Sequence, residues 1–497
     1  MRFDRILASQ DDPPSTYLWP RWIFLRGLGL IFLSAFFSLA FQIHGLIGDR
    51  GILPADEYLR NVRGVLGIFK SLWYAPTLFW LSAGDGALTV VVVFGLIASL
   101  LLVANVWPRL TTAVCTLLFL SCIAALQDFS SYQSDGMLLE AGFIACWFAP
   151  GGVRPGLGAH EPPSSFSLFM LRWEWFRIYL ESGIVKLASG DPHWRNLTAM
   201  DEYYQNGPLP TWIGWYVQHF PHWYHAGTAL LTLAVELLLV WMLWLSRPFR
   251  FVLFLIVTAL QIGIISTANY AFLNHLVLLL GVLLLDDQTL ERVRLFVPAR
   301  VKAYAVRRRS TLRRRSESVV LGIVLYGTVL AFFPDLPVLG WPARFLAPFR
   351  IANAYGLFAV MTEARYEIEF QGSTDGTTWT PYPFKYKPQD INERPGIYAP
   401  YQPRFDWNLW FASLGEWQQS TWVVNAQLRL VEGSPSVLRL FRYDPFHGHP
   451  PPLVRTVRYQ YWFTDLATKR RTGAWWRREL LGAFTGAVAL PADTTSR

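Results

Sequence analysis

The chain reads as a polytopic α-helical membrane protein of about nine spans followed by a C-terminal antiparallel β-sandwich-like domain. Three observations predict this. Of its 497 residues, 53% are hydrophobic and only 16% charged, a balance that places it among membrane proteins. Its apolar residues fall in runs of near-spanning length, separated by short turns that carry arginine. After Tyr355 the period changes, and Tyr366-Glu367-Ile368-Glu369-Phe370 alternates as a strand does.

Residues 1–20 are polar, with Asp11-Asp12-Pro13-Pro14, and are expected to form a short cytoplasmic tail. Trp22–His44 is the first span, flanked by Arg21 and Arg26; its apolar core is too long for a cleaved signal peptide, so it reads as a retained anchor. Within the helical membrane domain, 21–286, residues 45–86 mix charges with Trp73, Tyr74, Phe79 and Trp80, which fits an outer segment with a helix lying in the interface. Spans follow near Ala87–Val106, Leu110–Leu126 and Gly136–Phe148, then a charged span ending at Ala188. Three more lie near Trp223–Leu245, Phe251–Ala268 and Phe272–Leu285. Residues 287–317 form a basic linker containing VRLFVPARVKAYAVRRRSTLRRR, and the last span covers 318–334.

Alternation from a cytoplasmic N-terminus puts Arg109, Arg154, Arg247, Arg250 and the linker all in the cytoplasm, as positive-inside topology requires. The same count puts 45–86, 189–222 and everything after Pro334 outside. The net charge of +9 is therefore topogenic, and no nucleic-acid partner is expected. Residues 355–480 are assigned to the extracytoplasmic β domain, with Thr374-Asp375-Gly376 as a hairpin turn and Val437–Tyr443 and Val457–Phe463 as later strands.

The charged span is where chemistry concentrates. Arg172, Glu174, Arg177, Glu181 and Lys186 sit in a helix apolar enough for membrane depth, where a charge costs a few kcal/mol or more. Glu174, Arg177 and Glu181 share one face and are spaced to pair as i, i+3 and i+4 neighbours. Lys186 lies off that face, and Gly183 with Ser189-Gly190-Asp191 offers the backbone a place to break. Asp135, Glu140 and Glu236 are further intramembrane polar groups that are candidates to face Lys186 or Arg177. Two readings stand for the set: an ion-pair network holding helices in register, or a binding or chemical site.

The following loop is dense in polar and aromatic residues, among them Asp191, Trp194, Arg195, Asp201, Tyr203 and Tyr204. It reads as a protein-contact surface or as a lid over the bundle. In the C-terminal part, Arg404-Phe405-Asp406-Trp407-Asn408-Leu409-Trp410-Phe411 reads as either a domain core or a docking edge. His219, His222 and His225 have helical spacing, but Pro221 interrupts them; no metal or other cofactor is expected. The three cysteines lie inside apolar runs and provide no disulfide framework. The sequence contains no Gly-x-Ser-x-Gly, phosphate loop or Cys-x-x-Cys.

Three colinear blocks carry a family resemblance. GIVKLASGDPHWRNLTAMDEYYQNGPLP with WYVQHFPHWYH, the N-terminal YLWPRWIFLRGLGLIFLSAFFSLAFQIHGLIGDRGILPADEYL, and PYPFKYKPQDINERPGIYAPYQPRFDWNLWFASL resemble the lipase maturation factor family. Its members are membrane proteins of the endoplasmic reticulum that help secreted dimeric lipases fold and assemble. The resemblance implies a non-catalytic chaperone for an exported client, a lipase or similar hydrolase, with the lipid bilayer as its other partner. In that reading Asp191, Trp194, Arg195, Asp201, Tyr203, Tyr204, Arg404, Asp406, Trp407 and Trp410 form the client-contact surface. His193 and Gly396 stand where cysteine is expected in animal members. With the missing disulfides, they point to a bacterial inner-membrane protein with a periplasmic C-terminal domain, the endoplasmic reticulum being the eukaryotic alternative. The Gly-x-x-Lys-Leu pattern is also similar to the vitamin K-dependent carboxylase-like superfamily. That similarity implies an alternative, an enzyme using Lys186 as base on a lipid or quinone-type substrate. The histidine expected near YQSDGMLLE is replaced by Ser134 and Asp135.

Overall fold

A computed structural model of the chain describes residues 16–130, 132–292, 310–333 and 340–490. Most of the N-terminal tail and the VRLFVPARVKAYAVRRR part of the basic linker therefore lie outside the described residues. The first helix, α1 (Leu18–Ala40), is followed by a short turn and α2 (Ala55–Tyr74), then α3 (Asp85–Val103), α4 (Pro108–Ala125), α5 (Gln133–Phe148) and α6 (Ser165–Ala188). After an outer loop come α7 (His222–Trp244, its last turn 3-10), α8 (Arg247–Thr267), α9 (Leu273–Leu284) and α10 (Thr311–Phe332). Six of these, α1, α3, α4, α7, α8 and α10, are long and apolar enough to cross a membrane. The chain is a multi-pass membrane protein. α5 and α9 are short, and the ionisable residues of α6 lower its hydropathy, yet all three are packed among the others.

Helix α2 is amphipathic. It exposes the apolar residues Val65, Ile68, Phe69 and Leu72 and kinks at Gly67, whose φ of 72° suits glycine.

The bundle has two chemically different ends. At one end Arg109 and Arg313 both pair with Glu161, Arg21 donates to the Glu161 carbonyl at 2.7 Å, and Arg247 pairs with Asp286 at 2.5 Å. Asp287 accepts the backbone N–H of Leu18 and Trp19, capping α1. The opposite end gathers residues 42–51, the loop 189–221 and the C-terminal domain. There Arg429 donates to Gly51 O at 2.9 Å, Ser434 to Arg50 O at 2.6 Å and Trp410 Nε1 to Asn206 O at 3.1 Å.

The C-terminal domain contains β1 (Arg365–Ser373), β2 (Thr380–Pro381), α11 (Arg404–Ser413), α12 (Trp422–Val431), β3 (Leu453–Phe463) and β4 (Trp476–Val488). The four strands form one antiparallel sheet in the order β2-β1-β3-β4, with Arg365 opposite Tyr461 and Tyr459 opposite Leu480. The antiparallel sheet agrees with the sequence pattern; its second layer is helical, since α11 and α12 cover it where a sandwich would place a second sheet. RFDWNLWF is thus a helix. Val437–Tyr443 is not a strand: Pro435–Leu438 makes one helical turn and the chain then bends. The last strand runs past residue 480. The Thr374-Asp375-Gly376 turn is present, with Asp375 accepting from Thr377 N and Thr378 N at 2.8 and 2.7 Å, which holds its carboxyl below the usual range.

Candidate functional site

Helix α6 turns its charges into the protein: Arg172, Glu174, Arg177, Glu181 and Lys186 are all buried. Arg177 takes its main partner from a neighbouring helix. Its Nη2 pairs with Glu140 of α5, while Glu181 Oε1 lies 3.7 Å from Nη1. Glu174 is buried within reach of Glu140 and Arg177 and against the backbone of Ala141.

These groups meet an irregular strap, residues 350–361, that leads from a short helical segment, Trp341–Phe349, into the C-terminal sheet. Glu140 Oε2 accepts from Asn353 N at 3.1 Å, Asn353 Nδ2 at 3.0 Å and Tyr355 OH at 2.9 Å. Arg177 Nη1 donates to Asn353 O at 2.5 Å, and Glu181 Oε2 accepts from Tyr355 N at 2.5 Å. Further along, Lys186 donates to Leu357 O at 2.9 Å and Trp194 Nε1 to Phe358 O at 2.9 Å, and Asp191 Oδ2 accepts from Met361 N at 2.6 Å. A non-helical backbone beside apolar helices needs a partner for each N–H and C=O. The charges of α5 and α6 supply them for Asn353 N and O, Tyr355 N and Leu357 O, and Gln133 and Ser182 do so for Gly356 N and Leu357 N.

The helix runs unbroken through Gly183 and breaks at Ser189-Gly190-Asp191, where Gly190 has a φ of 80°. Gly183 serves a close approach instead: a Cβ there would lie 2.9 Å from Glu236 Cβ and from the Leu237 side chain. That approach brings Glu236 of α7 to Lys186, Oε1 accepting from Nζ at 2.9 Å. Lys186 also lies 5.1 Å from the centre of the Trp194 ring.

Between α6, α7, α8 and α9 lies a cavity of about 500 Å³ with the Lys186 and Glu236 pair on its wall. Trp194, Met200, Tyr203, Tyr204, Leu357 and Phe358 also border it, so the outer loop and the strap together make its lid. Deeper in, Asn274 Nδ2 donates to Gln261 Oε1 at 2.7 Å and Gln261 Nε2 to Tyr179 OH at 2.8 Å.

The lipase maturation factor transmembrane domain matches residues 19–292, and the C-terminal domain of the same family matches residues 351–486. The chain belongs to the lipase maturation factor family. It is 30% identical to lipase maturation factor 2 of Homo sapiens over 96% of this chain and 83% of that protein. It is also 30% identical to lipase maturation factor 1 of Bos taurus, over 94% of this chain and 89% of the relative, and to lipase maturation factor 1 of Homo sapiens, over 96% and 88%. No solved structure matches it.

The two family domains meet at the strap and at a second anchor. Arg404 at the start of α11 forms a two-pronged pair with Asp135 of α5, Nη1 to Oδ2 and Nη2 to Oδ1 both at 2.8 Å, and Nη1 also reaches Phe129 O at 2.8 Å. Both side chains are fully buried. Burial opposes the Arg404 charge, but the Asp135 carboxylate outweighs it and holds the guanidinium above its ordinary value. Asp135 thus faces neither Arg177 nor Lys186.

Arg404, Asp406, Trp407 and Trp410 form a core, not a display surface, and Trp194, Tyr203 and Tyr204 are buried as well. Asp191 is buried between His193 N and the strap. Of the ten residues expected at the client surface, Arg195 is exposed and Asp201 partly so. Burial pushes the Asp406 carboxyl up to about 6, although Lys387 N and Tyr386 N donate to it and Lys387 and Lys385 lie nearby. The three histidines diverge: His219 lies between Trp215 O and Thr464 O, His222 pairs with Asp201 at 2.9 Å, and His225 is buried beside the Tyr204 ring. Asn353, Tyr355 and Arg365 were not singled out in the sequence. Arg365, buried on β1, donates to Gln205 O at 3.0 Å and Pro208 O at 2.9 Å and so fixes the outer loop to the sheet.

Proposed function

We propose that this chain is a membrane-embedded maturation factor that holds an exported, lipase-like hydrolase while it folds or assembles. The observation that carries the reading is the colinear match of both family domains to relatives named lipase maturation factors, over nearly the whole chain. The geometry supports it: through the strap, the Asp135–Arg404 pair and Arg365, the C-terminal domain is a fixed platform on one end of the bundle.

In this reading the arginine-rich end faces the cytoplasm and the platform faces the compartment into which clients emerge. We place the chain in a bacterial inner membrane with the platform in the periplasm; Cys115, Cys122 and Cys146 are all free. The contact surface comprises Arg195, Asp201 and the outer edge of β4, where Leu480 and Leu481 are exposed and the strand has no neighbour on that side among the described residues. An open edge offers backbone hydrogen bonds to an incompletely folded strand.

The test is mild crosslinking in native membranes, purification of the tagged chain and identification of its partners. An exported hydrolase crosslinked to residues 189–206 or 476–488, and recovered at least tenfold less with Leu480→Lys and Leu481→Lys together, is the expected result. Recovery that is undiminished in this variant removes the β4 edge from the surface. The absence of any exported protein overturns the reading.

A further inference from the structure

The cavity beside Lys186 has a side entrance. Of its lining residues, Leu231 on α7 and Ala259 and Gly263 on α8 are exposed, and both helices are long and apolar enough to cross a membrane. Leu230, Leu255 and Ile262 nearby are exposed too. The mouth therefore opens onto hydrocarbon, and a molecule entering there comes sideways out of the bilayer.

Inside, a largely apolar wall carries the Lys186 and Glu236 pair and the Tyr179 hydroxyl. Lys186 directs its donors to Glu236 Oε1, Leu357 O and, at 3.4 Å, Ser182 O. Glu236 Oε2 also lies 2.9 Å from Lys186 Nζ, but it accepts no well-aligned hydrogen bond among the described residues and keeps lone pairs for a hydroxyl. Tyr179 is oriented by Gln261, which donates to its oxygen, and among the described residues no acceptor takes the Tyr179 hydrogen. The Thr228 and Thr232 hydroxyls are returned to their own helix, to His225 O and Thr228 O. A ligand that satisfies this wall offers a hydroxyl to Glu236 and a carbonyl to Tyr179.

Charge narrows the class. An anionic head would bring a second negative charge beside Glu236 with only Lys186 to balance it, and a cationic head would meet Lys186 itself. A volume of about 500 Å³ lies within the range of about 300–1,000 Å³ typical of small-molecule sites and suits a single chain with a small head. We propose that the cavity binds a neutral, single-chain lipid with an ester carbonyl and a free hydroxyl, of the monoacylglycerol type, taken in laterally between α7 and α8. Loading the cavity fills the space beneath Trp194, Tyr203 and Phe358, so the lipid supports the lid that joins bundle to platform.

The proposal is tested on the full chain in nanodiscs with a monoacylglycerol carrying a photoreactive diazirine in its chain, the labelled peptides being mapped by mass spectrometry. Label is expected on cavity-lining residues of α7 and α8, displaced by unlabelled monoacylglycerol. Gly263→Trp blocks the mouth; a Cβ at Gly263 meets nothing within 4 Å, so the helix tolerates the change, and labelling should fall at least tenfold. Ala259→Trp, on the same rim, is the second blocking variant, and Tyr179→Phe should weaken labelling several-fold. Undiminished labelling in both tryptophan variants would mean annular lipid only and overturn the site. Equal cavity labelling by a diazirine fatty acid of the same chain length would overturn the neutral-head assignment.

Discussion

Removing one partner of the Asp135–Arg404 pair should detach the C-terminal platform from the bundle. In Asp135→Ala the guanidinium stays fully buried and loses two charge-assisted hydrogen bonds of 2.8 Å, keeping only Phe129 O. Each such bond contributes about 1.5–3 kcal/mol, and breaking a buried pair from one side costs about 3–5 kcal/mol; the two routes agree on roughly 4 kcal/mol. Arg404→Ala should cost a similar amount, since Asp135 is then the stranded charge. The double variant Asp135→Leu with Arg404→Met removes both charges and should recover most of the loss. Denaturant unfolding of the detergent-solubilised chain, followed by tryptophan fluorescence and by protease cleavage near residues 350–361, measures all three variants. Single variants within about 1 kcal/mol of the parent, or a double variant no better than either single, would refute the assignment of this pair as the anchor.

Lys186→Met leaves the Glu236 carboxylate and Leu357 O without their donor and should loosen the strap, raising its cleavage rate at 357–361 several-fold, whereas adding Glu236→Leu should restore protection. Gly183→Ala should lower stability by about 1–3 kcal/mol, because its Cβ would overlap Glu236 Cβ and Leu237 and force α7 away. Asp406 gives a pH signature with a definite sign. Its folded carboxyl titrates at about 6 against an ordinary 3.8, so its contribution is fully present below pH 4 and lost as pH rises through 6. At about 1.4 kcal/mol per pH unit the loss reaches about 3 kcal/mol at neutral pH. Asp406→Asn keeps an acceptor for Lys387 N and Tyr386 N and should flatten stability between pH 4 and 6 while raising it at pH 7; an unchanged pH profile would contradict the buried carboxylate.

The spans were legible because hydropathy and basic turns are local properties, and even the short α5 and α9 stood out between their turns. The inward direction of Glu174, Arg177 and Glu181 was legible too, because a charge facing lipid is too costly. Of the candidate partners, Glu140 does face Arg177 and Glu236 does face Lys186, whereas the C-terminal partners were not legible: Arg404 lies 269 positions from Asp135 and Asn353 lies 213 from Glu140, and sequence carries no pairing information over such distances. RFDWNLWF was read as a domain core or a docking edge, and the burial of Phe405, Leu409 and Ala412 at the i, i+4, i+7 spacing of a helix favours the core. The end of the sheet was missed because the outer edge of β4, with Arg477, Arg478 and Glu479, need not alternate as a half-buried strand does. The aromatic loop was read as a contact surface or a lid; burial of Trp194, Tyr203 and Tyr204 over the cavity favours the lid.

The strap explains why a membrane helix keeps so many ionisable groups. The strap, residues 350–361, passes beside α5 and α6 without helical hydrogen bonds of its own, and each unsatisfied backbone group there costs several kcal/mol. Glu140 alone accepts from Asn353 N, Asn353 Nδ2 and Tyr355 OH while pairing with Arg177. Carboxylates and guanidinium groups have the multiple lone pairs and donors that an irregular segment demands, and the Arg177–Glu140 pair offsets part of the cost of burying them. The strap borders the same cavity through Leu357 and Phe358. Whatever occupies that cavity therefore bears directly on the joint between membrane domain and platform, so a ligand preferring one lid geometry shifts the platform by its difference in affinity between the two.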